Sequence, residues 1–294
     1  MPDARRGSHV ATPRLQGKVA IVTGASRGIG AGIAAELAAD GARVVCVART
    51  SREGDHRKLA GSLETTVATL RGAGAEAHAV AADLASPDEC ARVIDEARAV
   101  FGPIDIVVNN AALTWFAEIA TMSVDKWMHS FAVNVHAPMV LAQHALADMI
   151  PRGSGTIINI SSGSARGPGR GPYPDPPVLR RGVLYGTEKA ALERFSQGLA
   201  EEVYPHGITV VALSPSQVVL TPGVMVHASV YDRDDAQTEP ASMMGRACVL
   251  LASQPVDAVT GRVCYSQQIL QEFGWITDGR GAGIDTPGSG YSLL

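Results

Sequence analysis

The sequence predicts an α/β fold, a doubly wound parallel sheet of about seven strands with helices on both faces. Short runs of consecutive apolar residues, rich in Val and Ile, alternate with segments of helical periodicity along the chain. Continuous apolar runs are typical of parallel strands that are buried on both faces. Right-handed crossovers between such strands place the helices on both sides of the sheet.

The strands and helices follow one another in regular alternation. Strands are predicted at 18–24, 43–49, 75–84, 104–112, 155–162 and 207–215, with a short seventh at 261–266. Helices are predicted at 28–42, 86–102, 123–150, from 183 onward and at 239–253. The helix at 86–102 has Ser86 as a natural N-cap and Pro87 at its first position.

One domain is expected, because no internal repeat or shift in composition marks a second one. The 294 residues, 46% of them hydrophobic, are enough for a large core. We assign residues 16–273 to a Rossmann-type catalytic domain and residues 1–15 to a flexible arm. The Gly-rich tail at 274–294 is either flexible or draped over a neighbouring subunit.

Composition excludes several classes of function. The net charge of −4 favours neither nucleic acid nor an anionic membrane as a partner. No apolar run has the length of a membrane span, and the N-terminal residues lack the apolar stretch of a signal peptide. The cysteines have neither disulfide nor zinc spacing, so we expect a cytoplasmic protein with buried thiols and no metal: Cys46, Cys90, Cys248 and Cys264.

A glycine-rich turn joins the first strand to the first helix, in the sequence TGASRGIG at 23–30. Gly24 allows a sharp turn, Gly28 allows close approach of a pyrophosphate, and Gly30 packs the helix against the strand. The helix N-terminus offers free N–H groups and a positive partial charge to a phosphate. The alternative is a tight turn with no ligand. The predicted cofactor-binding residues here are Gly24, Ser26, Arg27, Gly28, Ile29 and Gly30.

The end of the second strand predicts which dinucleotide binds. An acidic residue there would hold the 2′-hydroxyl of NAD, whereas this strand ends at Arg49 with no Asp or Glu. Arg27 lies in the preceding turn, and two guanidinium groups suit a 2′-phosphate dianion. We therefore expect NADP(H) rather than NAD(H). The alternative is that both arginines are solvated surface cations.

A tyrosine and a lysine one helical turn apart predict an acid/base pair. Tyr185 and Lys189 occupy positions i and i+4, which share one face of a helix. Hydride transfer between a nicotinamide and a carbonyl requires proton transfer at the oxygen. A phenol can supply that proton, and a nearby ammonium is expected to lower the phenol pKa from its usual value of about 10. Ser162, at the end of the fifth strand, is placed to hold the substrate oxygen.

Four motifs in order resemble the short-chain dehydrogenase/reductase family, and its 3-oxoacyl-carrier-protein-reductase-like branch in particular. They are TGASRGIG, NNAA at 109–112, NISS at 159–162 and YGTEK at 185–189, and the similarity runs from about residue 17 to 261. The resemblance implies Ser162, Tyr185, Lys189 and Asn134 as catalytic residues, with Asn134 holding a water near Lys189. It further implies that Lys189 and Tyr185 contact the nicotinamide ribose region, and that these residues line the cofactor: Asp83, Leu84, Asn110, Ala111 and, through its backbone, Val218. Asp83 has a second interpretation, as a turn residue after the third strand.

The sequence departs from the family pattern in an insertion after the fifth strand and in the segment after the sixth. An insertion at 165–182, rich in Pro, Gly and Arg, must form a loop beside the site. Its arginines either bind an anionic substrate group or belong to a solvated loop or a subunit contact: Arg166, Arg170, Arg180 and Arg181. Thr221 is displaced by one position from the usual cofactor-contacting threonine. The stretch 222–240 is expected to form a lid whose apolar residues favour a partly hydrophobic substrate.

The predicted function is an NADP(H)-dependent oxidoreductase that acts on a ketone or secondary alcohol, with Tyr185 as general acid/base. One alternative is an epimerase or dehydratase relative. The other is a dinucleotide-binding sensor or scaffold of the same fold with little turnover. The expected partners are a small carbonyl or alcohol substrate and other copies of the chain, in a dimer or tetramer.

Overall fold

The computed structural model describes residues 13–56, 59–173, 181–227 and 237–288. Within these ranges seven strands form one sheet in the order β3-β2-β1-β4-β5-β6-β7, and every neighbouring pair is parallel. The predicted α/β fold with a single doubly wound sheet is therefore confirmed. The strands are β1 Val19–Thr23, β2 Arg43–Ala48, β3 Ala77–Ala81, β4 Ile106–Asn109, β5 Gly155–Ile160, β6 Ile208–Ser214 and β7 Val263–Tyr265.

The strand order reverses between β1 and β4, and this reversal locates the site. From β1 the chain first builds outward through β2 and β3, and then returns to add β4 on the other side. The connections that leave β1 and β4 therefore diverge at the carboxyl edge of the sheet. Such a switch point opens the crevice in which ligands of doubly wound sheets bind.

The helices cover both faces of the sheet. The predicted helix at 123–150 occurs as two α-helices joined by a π turn at Ala132–His136. Four helices were not predicted: Leu63–Gly72, Pro222–His227, Val256–Val259 and Ser266–Glu272. The last three have seven residues or fewer and so show little periodicity. The helices are α1 Gly28–Ala39, α2 Leu63–Gly72, α3 Pro87–Phe101, α4 Val124–Phe131, α5 Ala137–Arg152, α6 Val183–Val203, α7 Pro222–His227, α8 Ala241–Ser253, α9 Val256–Val259 and α10 Ser266–Glu272.

Strand β1 shows why both faces are apolar. Ala20 and Val22 point into the core layer that contains α1 and α8, while Val19 and Ile21 point into the layer that contains α3, α5 and α6. All four side chains are buried. Alternate residues of a strand face opposite sides, so a sheet covered on both sides needs an uninterrupted apolar strand.

Residues near both ends of the described chain pack against the domain. Leu15 is buried in the core, and its backbone N–H donates to the Asp40 carbonyl at 3.1 Å, so the domain begins before residue 16. Residues 1–12 lie outside the described residues. The tail was expected to be flexible or to cover a neighbouring subunit, but residues 274–288 pack against their own domain. Trp275 contacts the core, and the Ala282 N–H donates to the Ser216 carbonyl at 2.8 Å.

The described ranges contain no helix long and apolar enough to cross a membrane. They also contain no group of three His, Cys, Asp or Glu side chains that could hold a metal ion. All four cysteines are free and buried, as predicted. Burial raises the pKa of the Cys46 thiol to about 12, so this thiol stays protonated at neutral pH.

Candidate active site

The glycine-rich turn forms a cradle at the end of β1. Gly24 and Gly28 have φ values of 67° and 57°, a region that side chains other than glycine rarely adopt. A Cβ at Gly30 would overlap the Gly24 carbonyl oxygen and lie 2.5 Å from the Asn110 Nδ2 atom. Only hydrogen atoms fit at these positions, so the turn leaves room for a phosphate group against the N-terminus of α1. Ser26 is buried in this turn, and Ile29 packs against the core.

The end of β4 holds the cradle in place. Thr23 Oγ1 accepts hydrogen bonds from the backbone N–H groups of Asn110, at 2.9 Å, and Ala111, at 3.0 Å. Asn110 Nδ2 donates to the Thr23 carbonyl at 2.8 Å. The predicted cofactor residues Asn110 and Ala111 therefore lie directly beside the turn, across the switch point from α1.

Two arginines lie at the corner between β1 and β2. Arg27 Nη2 donates to the Gly61 carbonyl at 2.6 Å, whereas its buried Nε has no hydrogen-bond partner among the described residues. Burial lowers the Arg27 pKa, and the nearby charge of Glu53 opposes this effect. Arg49 is exposed at the first position after β2. The unsatisfied guanidinium N–H of Arg27 and the exposed Arg49, which follow neighbouring strands at the same edge of the sheet, are groups suited to an anion.

Asp83 and Leu84 follow β3 at the same edge of the sheet. Asp83 is exposed, and its Oδ1 accepts a hydrogen bond from the Ala85 N–H at 3.1 Å, while its carbonyl accepts from Ser86 at 3.0 Å. Asp83 thus forms the strand-end turn that was its second interpretation. Leu84 is buried in the core.

Tyr185, Ser162 and Lys189 come together at the carboxyl end of β5. Ser162 caps the 3₁₀ turn at Gly163–Ala165, and its hydroxyl hydrogen-bonds the Tyr185 phenol. Lys189 Nζ lies 5.6 Å from the centre of the Tyr185 ring and donates to the Ile160 carbonyl at 2.7 Å. A Cβ at Gly186 would lie 2.8 Å from the Ser164 carbonyl oxygen, so this glycine lets α6 approach the turn that carries Ser162.

The neighbouring serine points elsewhere. Ser161 is buried, and its hydroxyl donates to Glu193 Oε1 at 2.8 Å. Its side chain is therefore committed to a carboxylate inside the protein. This arrangement favours Ser162 over Ser161 as the hydroxyl that meets a substrate.

The electrostatics of Tyr185 differ from expectation. We expected the Lys189 ammonium to lower the phenol pKa, but burial raises it above its ordinary value. The Ser162 hydrogen bond opposes this rise, and the charge of Glu188 adds to it. The reason is that the half-buried phenolate loses its hydration, and this loss outweighs the stabilisation available from its neighbours. Burial also lowers the Lys189 pKa to about 8.

Asn134 lies in the π turn between α4 and α5, and both polar atoms of its side chain have hydrogen-bond partners inside the protein. Its Oδ1 accepts from the Leu113 N–H at 3.3 Å, and its Nδ2 contacts the Leu113 carbonyl, Ser130 and Glu188. Its amide therefore braces the loop after β4 and contacts the Glu188 carboxyl group. Glu188, which the sequence analysis did not single out, lies between Asn134 and Lys189.

The backbone of Val218 is engaged by the far end of the lid. Its N–H donates to the Gln237 carbonyl at 3.0 Å, and its carbonyl accepts from Glu239 at 3.0 Å. The backbone that was expected to meet a nicotinamide amide thus makes both of these hydrogen bonds within the chain. Thr221 is better placed than its shifted position indicated, because a Cβ at Gly28 would lie 2.9 Å from Thr221 Cγ2. Residues 228–236 of the predicted lid lie outside the described residues.

Two of the inserted arginines are engaged within the chain. Arg166 Nη1 donates to the Pro287 carbonyl of the tail at 2.9 Å, and Arg181 Nη2 lies 3.5 Å from Glu118 Oε1. Arg170 is exposed, and Arg180 lies outside the described residues. These contacts attach the insertion to the tail and to the loop after β4, so the guanidinium groups of Arg166 and Arg181 both have partners within the chain.

An aromatic side chain that the sequence analysis missed borders Tyr185. The Phe116 ring packs edge-on against the Tyr185 ring at 6.2 Å between centres, and it is 44% exposed. Phe116 also lines a cavity of about 300 Å³ together with Trp115, Met122 and Lys126. The only signal in the sequence was the position of this loop after β4, at the carboxyl edge of the sheet.

Comparisons with known proteins agree with this architecture. Residues 18–229 match the family model for short chain dehydrogenases. The chain is 35% identical over 235 residues to a protein of Streptomyces niveus described as short-chain reductase protein NovJ, covering 79% of this chain and 82% of that one. It is 33% identical over 207 residues to a short chain dehydrogenase of Pseudocercospora fijiensis, spanning 70% of this chain but only 61% of that relative.

A solved structure gives the same result. A metagenomic short-chain oxidoreductase, crystallised in complex with NADP, superimposes with a TM-score of 0.67 at 32% sequence identity. The match covers 85% of this chain and 97% of that one. The fold, the ordered motifs and these matches lead to one conclusion: the chain belongs to the short-chain dehydrogenase/reductase family of oxidoreductases.

Proposed function

We propose that this protein is an NADP(H)-dependent oxidoreductase that interconverts a ketone and a secondary alcohol, with Tyr185 as the general acid/base. The observation that carries the proposal is the convergence of three side chains at the end of β5. The Tyr185 phenol meets the Ser162 hydroxyl, and Lys189 lies one helical turn further along α6. They stand at the same edge of the sheet as the glycine cradle.

Each residue has a distinct role in the reduction of a ketone. A bound NADPH would supply the hydride. Ser162 would donate a hydrogen bond to the carbonyl oxygen and hold it beside Tyr185. The Tyr185 phenol, which burial keeps protonated, would give its proton to that oxygen as negative charge develops. The Lys189 ammonium would stabilise the phenolate that remains and, with a second N–H, bind the nicotinamide ribose.

The direct test of this function is turnover. Purified protein with NADPH and a panel of ketones is expected to lose absorbance at the nicotinamide band, and NADP with the matching alcohols to gain it. Binding of NADPH without oxidation by any ketone would instead favour a sensor or scaffold.

The choice of NADP(H) is supported by the pair Arg27 and Arg49 and by the NADP complex of the solved relative. Replacing Arg49 by alanine is expected to raise the KM for NADPH by about 10- to 100-fold, because charge-assisted bonds to a phosphate are lost. The KM for NADH should change by less than about threefold. Steady-state kinetics with both cofactors measures the two values.

A suitable control for this variant is Arg43→Ala, which removes an arginine from the opposite end of the same strand. It should leave both KM values unchanged. A wild-type preference for NADH, or an Arg49→Ala variant with an unaltered KM for NADPH, would contradict the assignment.

The substrate is expected to be partly hydrophobic. Phe116 and Met225 are exposed, at 44% and 52%, on the loop after β4 and on α7. Phe116 lies against the Tyr185 ring, so an apolar group attached to the carbonyl carbon would have an aromatic surface to pack on. Ketones with an aryl or alkyl substituent belong in the panel for this reason.

We also propose that copies of the chain associate through the outer face of α5 and α6. Met139 and Ile150 are exposed there, and an apolar groove runs between them past Phe195. Light scattering is expected to give a molar mass of a dimer or tetramer, and Ile150→Glu should shift it toward the monomer by placing a charge in the contact. Val100→Glu, at an exposed apolar residue of α3, is the matched control.

A further inference from the structure

Glu188 is a buried carboxyl group to which the proposed reaction assigns no role. It is 0% exposed and lies on α6 immediately before Lys189. Its Oε2 accepts a hydrogen bond from Asn134 Nδ2 at 3.2 Å, and the Ser130 hydroxyl also hydrogen-bonds it. Its Oε1 is buried without a hydrogen-bond partner among the described residues. A carboxylate in this position needs a nearby positive charge to be stable.

Lys189 is the positive charge that acts on Glu188. The charge of Lys189 lowers the Glu188 pKa, and the charge of Glu188 raises the Lys189 pKa. Burial acts against both ions, so that the Glu188 pKa rises to about 7 and the Lys189 pKa falls to about 8. Each ion therefore favours the charged form of the other against the larger effect of burial.

Other groups of the described residues also lie around Glu188 and Lys189. Tyr185, on the same helix, feels the charge of Glu188, and Glu193 acts on Lys189. Helix α4 presents the neutral side chain of Ser130, and the π turn after it presents that of Asn134. The loop after β4 presents the Leu113 backbone to Asn134, and β5 presents the Ile160 carbonyl to Lys189.

We propose that Glu188 is a positioning residue that keeps Lys189 in its ammonium form at neutral and mildly alkaline pH. This inference rests on the proposed function for its consequence, because the charged Lys189 is what stabilises the Tyr185 phenolate left after proton transfer. Among the described residues Glu193 also raises the Lys189 pKa through its charge, so loss of the Glu188 carboxylate would leave less compensation for the burial of the ammonium. The ammonium would then lose its proton at a lower pH. Above that pH, Lys189 would carry no positive charge to stabilise the Tyr185 phenolate.

The direct test is a titration of Lys189 by NMR. The chain has only four lysines, so protein labelled with ¹³C at the lysine side chains gives few signals: Lys18, Lys58, Lys126 and Lys189. The signal that disappears in Lys189→Arg identifies Lys189. In the wild type its midpoint is expected near pH 8. In Glu188→Gln, which keeps the shape but removes the charge, the midpoint should fall by about one to two pH units.

Two further variants separate charge from structure. Glu201→Gln removes an exposed carboxylate from the same helix and should leave the Lys189 midpoint unchanged. Glu188→Asp retains a carboxylate and should return the midpoint toward the wild-type value. Should Glu188→Gln fail to fold, Glu188→Ser is titrated in its place with the same expectation. An unchanged Lys189 midpoint in a folded, uncharged variant overturns the inference.

The kinetic readout links the titration to the reaction. The alkaline limb of the pH profile for ketone reduction should move to lower pH in Glu188→Gln by the same amount as the Lys189 midpoint. A uniform loss of kcat at every pH would indicate a structural role only and would overturn the positioning role. Absence of turnover in the wild type would count against the proposed function, while the NMR titration would still decide the charge of Lys189.

Discussion

Replacing Tyr185 by phenylalanine is expected to lower kcat for ketone reduction by about 10²- to 10⁴-fold. The variant keeps the ring that packs edge-on against Phe116 but lacks the hydroxyl that meets Ser162. General acid catalysis by a positioned side chain contributes a factor of this size. The measurement is kcat with saturating NADPH and ketone, together with the dissociation constant of NADPH, which should change by less than about threefold.

Tyr204→Phe is the matched control for this prediction. Tyr204 lies just after α6, at the opposite end of this helix from Tyr185. Its hydroxyl donates to Asp257 Oδ1 at 2.7 Å. Its loss should leave kcat within about twofold of the wild type, since a single exposed hydrogen bond contributes little. A Tyr185→Phe variant that turns over at the wild-type rate would show that the proton comes from another group.

Replacing Gly30 by alanine is expected to damage the cofactor cradle as a whole. The added Cβ would overlap the Gly24 carbonyl oxygen and lie 2.5 Å from Asn110 Nδ2. Neither atom is free to move, because Asn110 is tied to Thr23 and Gly24 begins the turn. We expect a loss of about 1–3 kcal/mol in the free energy of unfolding and at least a tenfold rise in the dissociation constant of NADPH. Thermal unfolding and fluorescence titration measure these two quantities.

Gly72→Ala provides the same chemical change where space is available. Gly72 is the last residue of α2, and a Cβ there would meet no atom within 4 Å. This variant should bind NADPH normally and be slightly more stable, because alanine is the better helix former. If Gly30→Ala and the wild type bound NADPH equally well, the close approach of α1 to β1 would not be needed for NADPH binding.

The amino-acid sequence predicted the sheet because each strand is indicated by residues that are close together in the chain. Seven apolar runs bounded by turns are readable one at a time, and a parallel sheet buried on both faces is the arrangement that satisfies them all. The i, i+4 spacing of Tyr185 and Lys189 was likewise enough to place them on one face of α6. The glycines of the first turn were recognised because a positive φ and a close contact require a residue without a side chain.

Other features could not be derived in this way. Phe116 approaches Tyr185 from a loop 69 positions earlier in the chain, and the tail reaches Arg166 from residue 287. Neither contact leaves a periodic trace in the sequence. Nothing in the sequence indicated that residues 237–239 return to bond both polar groups of the Val218 backbone. Such contacts depend on how the loops meet after the core has formed.

The sequence by itself determined the sheet, the glycine turn and the placement of Tyr185 and Lys189 on one face of a helix, since each follows from residue type and short-range spacing. Only the tertiary structure decided how these groups are charged. Burial of Tyr185 raises its pKa. The packing of α6 against Asn134 also brings the carboxyl group of Glu188 close to the site, where its charge acts on Lys189. The physical reason is that the free energy of an ion depends on the hydration it loses and on every charge that surrounds it, and both are set by the packing of distant segments.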